Sequence, residues 1–215
     1  MLRCPLIVVG GSAGSIQPLI DLAAGLPVDF LAVVCIVIHT LAHHHSYLPE
    51  ILARAGPLPA THAQHLERIE SGHLYCAPPD HHLLVRNGRF RITEGPKENW
   101  VRSAIDTLFR SAAHQEGSNV IGVVLSGMLN DGTSGLSTIR HCGGITVVQD
   151  PNDADYDSMP RNALAHVDVD YTVRSQDLAS LLIELVSKSA QRRLEVEAAI
   201  KERGKRNPRA RPSET

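Results

Sequence analysis

The chain is 215 residues long, enough for one substantial domain with a buried core and short for two. Hydrophobic residues make up 43% and charged residues 20%, a globular balance that argues against disorder. The formal net charge of −2 offers no electrostatic case for nucleic acid or an anionic membrane surface.

In chain order, "PLIVVG" and "FLAVVCIVI" are continuous β-branched runs, the pattern of strands buried on both faces of a parallel sheet. The first is ended at once by a turn and makes no signal peptide. The second, Phe30 to Ile38, is far too short to cross a bilayer. Between them "SIQPLIDLAAGLP" has helical spacing and stops at Gly25 and Pro27, and "HSYLPEILARAG" predicts a second helix. "HLYCAP" reads as a short strand, and "HHLLVRNGRFRI" as a hairpin folded on Asn87-Gly88. The helix "SAIDTLFRSAAHQ", the strand "NVIGVVLSG", the helix "GTSGLSTIRHCG", the strand "GITVVQD" and a helix from Ser175 complete the order. The expectation is a doubly wound, mostly parallel α/β sheet flanked by helices, with an inserted β-hairpin. Residues 1–187 form the domain and 188–215 a charged helical extension. Its end, "KERGKRNPRARPSET", reads as a solvated, disordered tail or as a basic docking segment. The four cysteines (Cys4, Cys35, Cys76, Cys142) form no C-x-x-C pair. Reduced thiols in a cytoplasmic protein fit them better than a disulfide framework.

Chemistry concentrates at strand ends. Gly10-Gly11-Ser12-Ala13-Gly14 has the G-x-S-x-G spacing of a nucleophile elbow, in which small residues let the chain reverse and lift the serine hydroxyl clear. The same turn also reads as a phosphate cradle or as a tight turn with no chemistry, although G-x-G-x-x-G is not met and no P-loop lysine follows. His39 ends the second apolar run, at the carboxyl edge where parallel sheets bind and react; it serves equally as a cap for the next helix. Asp131 follows another buried run, in "VVLSGMLNDGTSG". It is read either as an Asn-Asp-Gly turn capping the helix near Gly132 or as the acceptor that orients His39, and one carboxylate can do both. Together the three are the residue types of nucleophilic acyl chemistry. Their order, Ser-His-Asp, differs from the Ser-Asp-His of common α/β-hydrolases.

The twelve histidines raise a metal site, but His43-His44-His45 are adjacent and His62/His65 have no third ligand at a convincing spacing, so no metal and no cofactor is expected. Trp100, beside Arg102, either lines the cleft or is a surface aromatic.

With those strand ends in hand, residues 5 to 187 resemble the catalytic domain of the CheB family, the chemotaxis protein-glutamate methylesterases. "VVGGSAGSIQPL", "IVIHT", "GVVLSGMLNDGTSGL", "RSAIDTLFRSAA" and "VQDPNDADYDSMPRNAL" follow the family's motifs in order. The resemblance implies Ser12 as nucleophile, His39 as base and Asp131 as its orienting acid, with the backbone N–H of Met128, and that of Ala13, at the oxyanion. It implies a glutamate methyl ester on the cytoplasmic helical bundle of chemoreceptors as substrate, with glutamine deamidation as a second activity. Most chemotaxis members carry an N-terminal receiver domain, whereas this chain starts at the first catalytic strand, so control by phosphorylation within the chain is not expected. Ala13, Ser15 and Leu129 depart from the family pattern, the first at a usual hydroxyl residue and the others at usual glycines. A serine esterase or amidase on another acyl substrate and a non-catalytic scaffold are the alternatives.

Overall fold

The computed structural model describes residues 2, 4–39 and 46–206, with 193–206 as backbone alone. The apolar runs become β1 (Leu6–Gly11), β2 (Val33–Ile38), β4 (His73–Cys76), β7 (Val120–Val124) and β8 (Ile145–Gln149), joined at the sheet edges by β3 (Ala60–His62) and β9 (Tyr171–Val173). The sheet order is β3-β4-β2-β1-β7-β8-β9 and every pairing is parallel. The hairpin β5 (His82–Arg86) and β6 (Arg89–Thr93) pairs antiparallel as a separate sheet, turning on Asn87-Gly88 with both φ values positive.

Among the described residues six α-helices cover the sheet: α1 (Ile16–Gly25), α2 (Leu48–Ala55), α3 (Ile105–Glu116), α4 (Thr133–His141), α5 (Ser158–His166) and α6 (Ser175–Arg206). Alternation along β1 sends Ile7 and Val9 to a core with Leu19 of α1, Leu52 of α2 and Leu182 of α6. Leu6 and Val8 go to the opposite core, with Phe109 of α3, Ile139 of α4, Ala163 of α5 and Phe90 of the hairpin. Each fully buried aliphatic or aromatic side chain contributes about 1.5–3 kcal/mol relative to exposure, so burial on both faces is what holds β1 at the centre.

Three elements have no counterpart in the sequence reading. β3 and β9 are three residues each and half exposed, too short for periodicity to register. Helix α5 buries only Met159, Pro160 and Ala163, a stripe too thin to announce itself, and its proline sits in the first turn where no amide is missed. Helix α6 runs unbroken through residue 187 to Arg206, so the first residues of the basic segment are helical. Residues 207–215 and the His43-His44-His45 run lie outside the described residues.

The chain leaves β1 for β2 on one side and returns to β7 on the other, which makes β1 the topological switch point. Crevices in such sheets open at the carboxyl ends of the strands flanking the switch.

Candidate active site

The register aligns Gly11 of β1 with Ile38 of β2, so Ser12 and His39 occupy the next position on adjacent strands; the His39 amide bonds Gly11 O at 3.3 Å. On the other side of β1, Leu125 N–H donates to Gly10 O at 2.8 Å and Ser12 N–H to Ser126 O at 2.9 Å. Zipping of β1 to both neighbours thus continues past the strand ends and brings Ser12, His39 and the loop bearing Asp131 to one edge.

The turn after β1 is shaped by small residues. A Cβ on Gly10 would lie 2.2 Å from Ile105 Cγ2, so glycine lets the start of α3 close onto β1. Ser15, fully buried, donates its hydroxyl to Ser12 O at 2.6 Å and locks the reversal into α1. Ser126, also buried, donates to Ala13 O at 2.8 Å and accepts the Tyr156 amide at 3.0 Å, while Gly127 exchanges backbone hydrogen bonds with Tyr156 and Met159, both 2.9 Å. These bonds clamp the post-β7 loop against the serine turn. Met128 and Leu129 emerge from the clamp into solvent, and the N–H groups of Met128 and Ala13 bond no acceptor among the described residues.

His39 Nε2 lies 2.8 Å from Asp131 Oδ2. Nδ1 is therefore the ring nitrogen left to face a nucleophile, the reverse of the arrangement in which Nδ1 meets the carboxylate. No hydrogen bond joins Ser12 Oγ to His39 among the described residues; such bonds are commonly long without substrate and tighten in the complex.

Asp131 is 1% exposed and saturated with donors. Oδ2 accepts the Ile105 amide at 2.8 Å as well as His39; Oδ1 accepts the Asp106 amide at 3.1 Å, the Gly132 amide at 2.9 Å and the Asn99 side chain at 2.7 Å. Burial by itself pushes this carboxyl up, but the His39 bond and the two α3 amides outweigh it and hold it below the ordinary range. Asp131 thus caps α3, which begins at Ala104 with no capping side chain of its own. The sequence reading let it cap α4, meet His39, or do both; it bonds His39 and accepts the Gly132 amide at the start of α4. Asp106 shares that helix end: its Oδ1 accepts the Gly132 and Gly135 amides at 3.1 and 2.6 Å. Burial and the neighbouring Asp131 charge push Asp106 up, with the Gly135 amide opposing them.

Asn99 had no motif to flag it, and Asp106 lies inside the stretch "RSAIDTLFRSAA" but was given no role there. The available signal was indirect: α3 and α4 both start on residues that cannot cap, Ala104 and Gly132, so their free amides needed acceptors from elsewhere. A polar groove of about 650 Å³ runs past this end of the site, lined by residues including Asn99, Asp106, Asn130, Ser134, Asn162 and His166; Ser12 is not among them. Among the described residues no group of three or more His, Cys, Asp or Glu is placed to hold a metal ion. His62 and His65 turn to the backbone oxygens of Ser46 and Ile92. Trp100 lies on the surface, 89% exposed.

A doubly wound parallel sheet that gathers a serine, a histidine and a buried aspartate at its carboxyl edge defines an α/β protein with its candidate site at the strand ends. Residues 7–182 match the model of the CheB methylesterase family, and the chain belongs to that family. A Ralstonia nicotianae protein named protein-glutamate methylesterase/protein-glutamine glutaminase is 38% identical over 165 residues, covering 75% of this chain and 43% of its own. A Leptospira interrogans protein, provisionally named for the same two activities, is 36% identical over 188 residues, covering 87% of this chain and 97% of its own. The crystal structure of the Thermotoga maritima CheB methylesterase catalytic domain superimposes with a TM-score of 0.82 at 30% identity, over 86% of this chain and all of that one. Among the described residues no helix is long and apolar enough to cross a membrane.

Proposed function

We propose that this chain is a protein-glutamate methylesterase in which Ser12, His39 and Asp131 form the catalytic triad. Ser12 Oγ attacks the side-chain ester carbonyl of a methylated glutamate while His39 takes its proton. The tetrahedral oxyanion is met by the N–H groups of Met128 and Ala13. Collapse expels methanol, protonated by His39, and leaves an acyl-serine. Water, deprotonated by His39, then releases free glutamate and restores Ser12. Asp131 fixes the His39 tautomer and stabilises the imidazolium. A glutamine side chain enters the same cycle with ammonia as leaving group, which is the second activity expected.

The observation that carries this reading is the 2.8 Å His39–Asp131 contact one strand away from Ser12, in a chain of this family. The proposed substrate is a glutamate on the cytoplasmic helical bundle of chemoreceptors, which gives the chain a cytoplasmic place in chemosensory signalling. Ile16, Met128, Leu129 and Tyr156, all substantially exposed, rim the serine turn and suit an amphipathic helix better than a small free ester. Residues 1–187 are the proposed catalytic unit and 188–215 a charged extension.

Methanol release from methylated receptor tests the reading, with Ser12→Ala as control. Release abolished by Ser12→Ala supports it. Hydrolysis of small esters without methanol release sinks the receptor substrate and favours another acyl group. A folded chain that neither releases methanol nor reacts with a fluorophosphonate would be a scaffold.

A further inference from the structure

The segment between the hairpin and α3 contains a small turn whose construction is not needed to connect them. Glu98 and Val101 exchange two backbone hydrogen bonds of 3.0 Å, closing a two-residue loop of Asn99 and Trp100. Both central residues have positive φ, 50° and 69°, as a type I′ turn requires. Asparagine is at home there, whereas a bulky aromatic with Cβ is strained in that region. The turn is nevertheless pinned on both sides: the Glu98 carboxylate pairs with Arg110 of α3, and the Arg102 guanidinium bonds Asp80 and Gly95 O, each at 3.0 Å. Backbone strain held in place by ion pairs is a reason to look for what the turn delivers.

It delivers the Asn99 side chain to the junction of two buried carboxylates. One amide nitrogen, Nδ2, donates to Asp131 Oδ1 at 2.7 Å and to Asp106 Oδ2 at 3.1 Å. Asp131 and Asp106 are 1% and 5% exposed, so water does little to screen one charge from the other. Among the described residues, the Asn99 bond is also the shortest that Oδ1 accepts, and the only one on Asp131 besides His39 that comes from a side chain. The amides of Ile105, Asp106 and Gly132 belong to the α3/α4 frame. Asn99 closes the remaining side of the carboxylate and sets its rotation.

We propose that Asn99 is a positioning residue of the triad: its side-chain N–H groups tie Asp131 to Asp106 and fix the rotation of Asp131 that presents Oδ2 to His39. Asn99 touches no reacting atom and acts through Asp131. The inference rests on reading Ser12, His39 and Asp131 as the triad, but not on the identity of the substrate.

The test uses the full chain, and its readout is the rate of covalent labelling of Ser12 by a fluorophosphonate, which needs the triad and no receptor. Asn99→Gly and Asn99→Asp are the informative variants, because glycine and aspartate both suit a left-handed turn position. If Asn99 served only the shape of the turn, both would label like wild type. If its N–H groups position Asp131, labelling falls about 10- to 100-fold in Asn99→Gly. It falls further in Asn99→Asp, which sets a third carboxylate against two.

The pH profile gives a second readout. Among the described residues, the charged groups facing Asp131 are His39 at the end of β2 and Asp106 of α3, with Arg110 of α3 acting on Asp106. Removing the Asn99 donor leaves the Asp131 charge less compensated, so the His39–Asp131 pair holds its proton more tightly and the acidic limb of labelling moves to higher pH. Wild-type labelling in either variant, or slowed labelling with an unmoved limb, would overturn the proposal. Wild type that labels at Ser12 but releases no methanol strikes the substrate reading alone. Wild type that does not label strikes both.

Discussion

Asp106 and Asp131 cap each other's helices: Asp131 accepts the amides that open α3, the helix carrying Asp106, and Asp106 accepts the Gly132 and Gly135 amides that open α4, the helix following Asp131. The crossed arrangement makes the geometry of the His39 partner inseparable from the packing of α3 on α4. Removing one carboxylate should therefore damage two things at once.

For Asp131→Asn we expect turnover and Ser12 labelling to fall about 10⁴-fold, since an amide cannot serve both His39 and the α3 amides as an acceptor. The pH dependence of stability separates the charge from the shape. The folded-state pKa of Asp131 lies below the ordinary 3.8, so its charge contributes stability that is fully present above that value and is lost as pH falls through the folded pKa. Urea midpoints at pH 7, 5 and 3 should show the gap between wild type and variant narrowing on the acid side. A gap that stays constant would mean that the Asp131 charge does not stabilise the fold.

Gly127→Ala probes the clamp. The added Cβ would lie 2.7 Å from Met159 Cε and 3.0 Å from Ser12 Cβ. Met159 has flexible atoms to move, but the Ser12 Cβ is fixed by the turn. A loss of about 1–3 kcal/mol in urea unfolding is expected, with at least a tenfold loss of labelling as the serine is displaced. Full activity in this variant would show that the loop after β7 relaxes freely.

Leu129 occupies its turn at a physical cost. It has φ of 67° and is 65% exposed, so its side chain gains little from packing while its backbone sits in the left-handed region. Leu129→Gly should raise stability by about 1 kcal/mol, read as a higher denaturation midpoint. A lower midpoint would mean that the side chain contributes more than the strain costs.

The thiols divide by burial. Burial pushes Cys35 up strongly and Cys76 to about 12, whereas Cys4 and Cys142 are half-buried. Cys35 and Cys76 belong to opposite cores, on either face of the sheet, so their side chains cannot meet in a disulfide. A thiol-exchange reagent at pH 8 should titrate two thiols in the native chain and four after denaturation. A third reactive native thiol would reveal an opening of β2 or β4.

The five inner strands, the hairpin and five of the six α-helices were legible because each carries an apolar run, a helical stripe or a strong turn pair. The short edge strands and α5 were not, since three half-exposed residues and a thin stripe carry no period. At the site, Ser12 and His39 stood out because each is a polar residue directly after a buried strand. Asp131 stood out in the loop that follows a buried strand, but its partners did not. Asn99 comes from an irregular loop with a left-handed turn, and nothing in the spacing of α3 set Asp106 apart.

The sequence alone determined the alternation of strand and helix, and with it which polar residues end buried strands, because burial on both faces imposes a local and readable composition. Only the tertiary structure decided who answers whom. That α3 and α4 lacked capping side chains was a local fact, but which acceptors would meet their amides depended on how closely the two helices pack, down to Gly135 against Phe109. The demand of a buried amide for a partner is written in the chain; the partner's identity is set by contact between residues 25 or more positions apart.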